Sequence, residues 1–148
     1  NFGMSTAASD EYIAVGVPSS DNGTTVGRVD IFNASTGAFI KSILPPNTYA
    51  NNNFGWSIAI SGNTLVVGSP FEPRAATPSG RVYLFDIVSS NLTRTLDSPD
   101  ASETADGDNY GTSVAIDGNV LVVGAATEKL TQSSANSKVY VYNLLAAP

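Results

Sequence analysis

One motif recurs three times along this chain of 148 residues, at nearly constant spacing. An aromatic–glycine pair opens each unit: Phe2-Gly3, Phe54-Gly55 and Tyr110-Gly111. Fourteen positions after each aromatic stands a second glycine, Gly16, Gly68 or Gly124, near the end of an apolar run. A basic, alternating segment follows in each unit: Gly27-Arg28-Val29-Asp30-Ile31-Phe32, Gly80-Arg81-Val82-Tyr83-Leu84-Phe85 and Ser137-Lys138-Val139-Tyr140-Val141-Tyr142. A period of 52 to 56 residues built from short strands means a propeller or a similar array of blades.

The middle unit shows the pattern best. Trp56 to Ile60 alternates and reads as a strand, and Ser61-Gly62-Asn63 reads as a tight turn. Thr64 to Gly68 is almost wholly apolar, as a strand buried on both faces requires, and Gly68 marks a close approach of neighbouring backbone. Pro70 ends it. Arg81 to Phe85 makes the third strand, with Val82 and Leu84 on one face and Arg81, Tyr83 and Phe85 on the other. Asn91 to Leu96 is a more polar fourth strand, suited to an outer edge. In the first unit Ser5–Ala8, Tyr12–Val17, Val29–Phe32 and Phe39–Leu44 take the four places. The third unit has Ser113–Ile116, Val120–Gly124 and Val139–Tyr142, leaving only residues 144–148 for a fourth strand. The expected class is all-β, with blades at about 2–46, 54–98 and 110–148 and the last blade incomplete or finished by another chain.

The chain has no cysteine and no histidine, which removes disulfides, thiolate chemistry and the commonest general base and metal ligand. A net charge of −6 disfavours nucleic acid, whose binding rests on phosphate neutralisation, and anionic membrane surfaces. No apolar run approaches the roughly 18 residues of a membrane span. The only methionine is Met4 and no signal peptide is visible, so the chain reads as processed or excised from a longer one. A Ser-, Thr-, Asn- and Gly-rich composition with 14% charged residues fits an extracellular or cell-surface setting.

The repeats resemble FG-GAP repeats, the units of integrin-alpha-type β-propellers and of many bacterial and algal surface proteins. Phe54 to Ile60, Val66-Val67-Gly68-Ser69-Pro70 and Gly80 to Phe85 carry the likeness, which extends over essentially the whole chain. The resemblance implies four-stranded blades and an extracellular adhesion or scaffold role. Two departures stand out. Three blades are fewer than the about four to eight with which propellers close. The calcium loop of the integrin type is missing, because Asp10-Glu11, Ser61-Gly62-Asn63 and Asp117-Gly118-Asn119 are too short to wrap a cation that takes about six to eight oxygens. The nearest variety is the bacterial or algal one without that loop.

Charge clusters once, at Asp97, Asp100, Glu103, Asp106 and Asp108. Converging carboxylates suit calcium, so Asp100, Glu103, Asp106 and Asp108 are the metal candidates. The competing reading is a solvated turn before Tyr110-Gly111, and it is preferred, so no cofactor is expected. No histidine, cysteine or flanking motif supports a catalytic triad, and a flexible turn is a poor site for a carboxylate pair of the glycosidase kind. An enzyme is not expected. Sequons at Asn22, Asn33 and Asn91 fall in or beside expected loops, where glycosylation can reach them. The recurrent Phe2, Phe54, Tyr110, Phe32, Phe85 and Tyr142 read as blade-to-blade packing, and Arg28, Arg81 and Lys138 as stems covering apolar surface with their charges in water.

In an antiparallel blade the first-to-second and third-to-fourth connections share one end, and here they are short. The long, irregular connections lie at the other end, and in repeat arrays such insertions map to the binding face. Tyr49, Phe71, Glu72, Arg74 and Lys129 are the expected contact residues for a protein or glycan partner. The function expected is a non-catalytic scaffold or adhesion module. Two rivals are a subunit that self-associates into a ring or filament through unpaired edges, and a propeller lectin.

Overall fold

The computed structural model describes residues 1–18, 26–47, 52–74, 77–99, 109–126 and 137–145. Among these residues the chain is all β, without a helix. The first sheet runs in the order β1 (Ser5–Ala8), β2 (Tyr12–Val17), β3 (Arg28–Asn33) and β4 (Phe39–Ile43), each antiparallel to the next. The second holds β5 (Ser57–Ser61), β6 (Thr64–Ser69), β9 (Arg81–Asp86) and β10 (Leu92–Asp97) in the same meander. Between β6 and β9 lies a two-stranded ribbon, β7 (Pro73–Arg74) with β8 (Thr77–Pro78). The third sheet has three strands, β11 (Tyr110–Asp117), β12 (Val120–Ala125) and β13 (Lys138–Asn143). The three sheets do not close on themselves among the described residues.

The registers follow from the alternation in sequence. Ser57 pairs with Gly68 and Gly68 with Val82, so these three share one face of the second sheet with Ala59, Val66 and Leu84. That face packs with Tyr110, Leu121, Val123 and Ala125 of the third sheet. The opposite face carries Ile58, Leu65, Val67, Tyr83 and Phe85 and packs with Ala14, Val29, Ile31 and Ile43 of the first. The middle sheet is thus covered on both sides, and Leu65, Val66, Val67 and Val82 are fully buried. This explains why β6 reads as a continuous apolar run instead of an alternating one. β5 packs against both β1 and β11, so the first strands of the blades line one edge of the array. β4 and β10 lie at the far edge.

The strands stand close to where the sequence places them, within a residue or two except at the start of β11. There, β11 begins at Tyr110 instead of Ser113, because the ladder tolerates an irregular register between those residues. The β7–β8 ribbon was not expected, since a segment bearing Pro70, Pro73 and Pro78 reads as loop.

Short turns close the blades at one end. Asn33 Oδ1 accepts the backbone N–H of Ser35 at 3.0 Å and of Thr36 at 2.9 Å between β3 and β4. Asp86 does the same for Ser89 at 2.7 Å between β9 and β10. The Ser89 hydroxyl and N–H hold the Asp86 carboxyl below the usual carboxylate range. Asn143 starts an equivalent turn after β13, accepting Leu145 N–H at 3.0 Å.

Candidate functional site

The recurrent residues meet at the joints between blades. Asn53-Phe54-Gly55-Trp56 forms a tight turn in which the Trp56 N–H reaches the Asn53 carbonyl at 3.0 Å. Gly55 sits at φ +90° there and Gly111 repeats it at +90°, a conformation that glycine alone adopts without strain. Asn53 and Asn109 precede the aromatic with φ of 53° and 47°. The Gly55 N–H is tied to its own sheet through the Gly68 carbonyl at 3.2 Å, which leaves the Gly55 carbonyl facing the preceding blade. Ser5 Oγ of that blade donates to it at 2.7 Å. One blade further on, Ser57 Oγ donates to the Gly111 carbonyl, also at 2.7 Å.

The second glycine makes room for this contact. A Cβ on Gly16 would lie 2.2 Å from the Gly55 oxygen, and one on Gly68 would lie 2.1 Å from the Gly111 oxygen. Gly27 and Gly80 perform the same service for the neighbouring aromatic, where a Cβ would meet the Phe54 and Tyr110 carbonyl oxygens at 2.0 and 2.2 Å. The aromatics fill the joint: Phe54 and Tyr110 are both 0% exposed. Phe54 packs on Tyr83 and Phe85 at centroid distances of 5.7 and 5.9 Å, while Tyr110 packs on Tyr140 at 5.4 Å and hydrogen-bonds the Tyr142 hydroxyl at 2.7 Å. Phe2, by contrast, is 63% exposed. At the outer edge Lys41 Nζ of the first sheet donates to the Ile87 and Val88 carbonyls of the second, both at 2.8 Å.

At the long-loop end the structure corrects one expected contact residue. Glu72 is 0% exposed and does not face a partner. Its carboxylate accepts hydrogen bonds from the Tyr83 hydroxyl at 2.6 Å, Asn47 Nδ2 at 2.7 Å and Arg81 Nη1 at 2.8 Å. A carboxylate buried with three donors is a fastener that pins the β6–β9 connection to its blade. Arg81 likewise does not simply lift its charge into water, because it joins Glu72 to Asp97, whose Oδ1 accepts from Nε at 2.7 Å. Burial opposes the charge of Arg81, but its bonds to Asp97, Tyr83 and Glu72 more than offset this and raise its pKa. Burial, followed by the Glu72 hydrogen bond and charge, raises that of Tyr83. Arg28 forms an ion pair with Asp30, two positions along its own strand and 2.9 Å away. No sequence signal marked Glu72 as buried; the asparagine before each aromatic–glycine pair was a signal that could have been read.

Phe71 is half-buried and meets Trp56 edge-on at 5.4 Å, both at the long-loop end. Arg74 belongs to β7, and its side chain lies outside what the structure describes. Tyr49, Lys129, Asn22, Asp100, Glu103, Asp106 and Asp108 also lie outside the described residues. Asn91 is exposed in the β9–β10 turn, and Asn33 is half-buried with its Oδ1 committed to the β3–β4 turn. Among the described residues no three carboxylates gather where they could hold a metal ion. A cleft of about 180 Å³ lies between the Ser9-Asp10-Glu11 turn and Gly62-Asn63 at the short-turn end, and another of about 220 Å³ is lined by Thr64, Leu84, Arg94 and Leu144. Both fall below the roughly 300–1,000 Å³ of ordinary small-ligand pockets.

The repeat model that this chain matches agrees with this architecture. The model of the FG-GAP repeat matches residues 39–85 and 100–142, which together make up more than half of the chain. No curated protein matches. Among solved structures, hydrazine synthase of Kuenenia stuttgartiensis is similar with a TM-score of 0.48 and 14% identity over 88% of this chain. The chain spans only 35% of the length of that protein. With the repeat model matching more than half its length and the same aromatic–glycine joint built twice, the chain belongs to the FG-GAP repeat family.

Proposed function

We propose that the chain is a non-catalytic scaffold or adhesion module of an extracellular or cell-surface protein, presenting its long connections for contact with protein or glycan. The observation that carries this reading is the repeated joint. Ser5 with Gly55, and Ser57 with Gly111, use the residues that recur in each unit for stacking, not for chemistry. The buried carboxylate of Glu72 is spent in the same way, on holding a loop to its blade. What varies between units is the β2–β3, β6–β9 and β12–β13 connections, all at one end of the array. Repeat arrays that vary on one face use that face for recognition, and FG-GAP repeats are typical of surface proteins.

The test is labelling of intact source cells with a membrane-impermeant biotin reagent, followed by glycan-array and cell-binding assays of the purified chain. Labelling without lysis supports the placement, and labelling only after lysis overturns it. The lectin reading draws on the Trp56–Phe71 pair. It requires array binding that falls when Phe71 is changed to Ala.

A further inference from the structure

We infer that the two outer faces of the array are complementary, and that the face of the third sheet bearing Ser113 and Gly124 docks the aromatic–glycine turn of a second copy of this chain. The inference rests on the stacking geometry and is independent of what the loops bind.

Each internal joint has a socket and a plug. The socket is a serine and a glycine on facing strands: Ser5 with Gly16, and Ser57 with Gly68. The plug is the aromatic–glycine turn of the next blade, whose glycine carbonyl accepts the serine hydroxyl. In the third sheet Ser113 pairs with Gly124 in the same register, so the socket is built again. Among the described residues the nearest atoms before Gly124 all belong to Ser113 of its own sheet, where Gly16 and Gly68 each meet a carbonyl from the next blade. Around it the face is apolar and open, with Val120, Val139 and Val141 being 50%, 69% and 68% exposed. The counterparts of Val139 and Val141 in the second sheet, Val82 and Leu84, are buried against the third sheet.

A third plug stands at the other end, with its aromatic exposed. Gly3 has φ +83° and its N–H is bound to the Gly16 carbonyl at 3.1 Å, as Gly55 is bound to Gly68. The turn is therefore preformed, yet Phe2 is exposed where Phe54 and Tyr110 are buried. Phe2 meets Phe32 and Phe32 meets Phe39 edge-on, and Ile40 and Leu44 extend the exposed apolar surface of that sheet. A heterologous contact of this kind joins copies head to tail, closing a ring if the rotation permits and otherwise extending a filament.

One residue sets the strength of the contact. Where Gly27 and Gly80 leave room for an aromatic carbonyl, the third sheet has Ser137. Its Cβ pushes the incoming turn outward, so the joint between copies is looser than the joints within one. Changing Ser137 to Gly removes that obstacle.

The test uses two variants of the full chain altered only at exposed positions, so that the fold is kept: Phe2→Ser spoils the plug, and Val141→Glu spoils the socket. Native mass spectrometry and sedimentation should show each variant monomeric alone, and an equimolar mixture forming one-to-one dimers. Ser137→Gly in the otherwise unaltered chain should tighten association about tenfold or more. Variants whose circular dichroism matches the parent but whose mixture stays monomeric would overturn the inference. So would a parent chain that stays monomeric at all concentrations, which would assign the socket to a further blade of the same polypeptide.

Discussion

Ser57 Oγ donates to the carbonyl oxygen of Gly111 at 2.7 Å, across 54 positions of sequence and from one blade into the next. The bond is made at a joint whose walls are apolar and whose floor is a glycine without a Cβ. An unmet carbonyl there would cost more than the bond itself contributes, because water has little access. Ser57→Ala should therefore lower stability by about 1–2 kcal/mol. Ser113→Ala, at the same place in the open third sheet, should change it by less than about 0.5 kcal/mol at concentrations where the chain is monomeric. Urea midpoints of the two variants and the parent check the difference.

Gly68 and Gly124 make a second matched pair. A Cβ at Gly68 would stand 2.1 Å from the Gly111 backbone oxygen, which cannot move without separating the blades. At Gly124 the nearest atom is the Ser113 hydroxyl at 2.3 Å, which can rotate away. Gly68→Ala is expected to cost about 3 kcal/mol or more, and Gly124→Ala about 1 kcal/mol or less. Thermal melts should show Gly68→Ala far below the parent and Gly124→Ala near it.

Glu72 carries the polar interior of the long-loop end. Truncation to Ala leaves the Arg81 charge, the Tyr83 hydroxyl and Asn47 without their common acceptor. The expected loss is about 3–5 kcal/mol, the cost of breaking one side of a buried pair. Glu72→Gln, which keeps the shape and one acceptor oxygen, should lose less. Chemical denaturation of both variants distinguishes this fastener from an exposed contact residue, for which neither change would exceed about 0.5 kcal/mol.

Alkaline pH should weaken the fold through the buried tyrosines. Burial, reinforced by Glu72 at Tyr83 and by Tyr142 at Tyr110, raises both hydroxyls above the ordinary value of about 10. The folded chain then keeps protons that the unfolded chain releases. The stabilisation is fully present below about pH 10 and is lost as pH climbs through the folded values, at roughly 1.4 kcal/mol per unit for each tyrosine. Tyr110→Phe should remove one such contribution, giving a shallower fall of the urea midpoint above about pH 10 than the parent shows.

The repeat made the strands legible because every blade solves the same problem with the same residues. The alternation in Arg81 to Phe85 sorted Val82 and Leu84 from Tyr83 and Phe85 correctly, and the continuous run at Val66 and Val67 foretold a sheet covered on both faces. Gly68 was legible as a close approach, although the serine hydroxyl beside it was not, because Ser57 alternates into the strand like any polar residue. Glu72 was misread for a physical reason. A single acid between Phe71 and Pro73 has no periodicity, and its donors lie nine and eleven positions later on a strand and, at Asn47, 25 positions earlier. The β7–β8 ribbon was hidden by the prolines that bound it. The surface of the long loops carries no repeat at all, which is why the sequence located an end of the array but no partner.

The stacked-blade account is tested most directly by amide hydrogen exchange on the dilute chain, followed strand by strand. It predicts that β6 and β9, enclosed between the two cores, exchange slowest, by about tenfold or more relative to β12 and β13 of the open third sheet. Equal protection in all three sheets, or fastest exchange in β6 and β9, would contradict it.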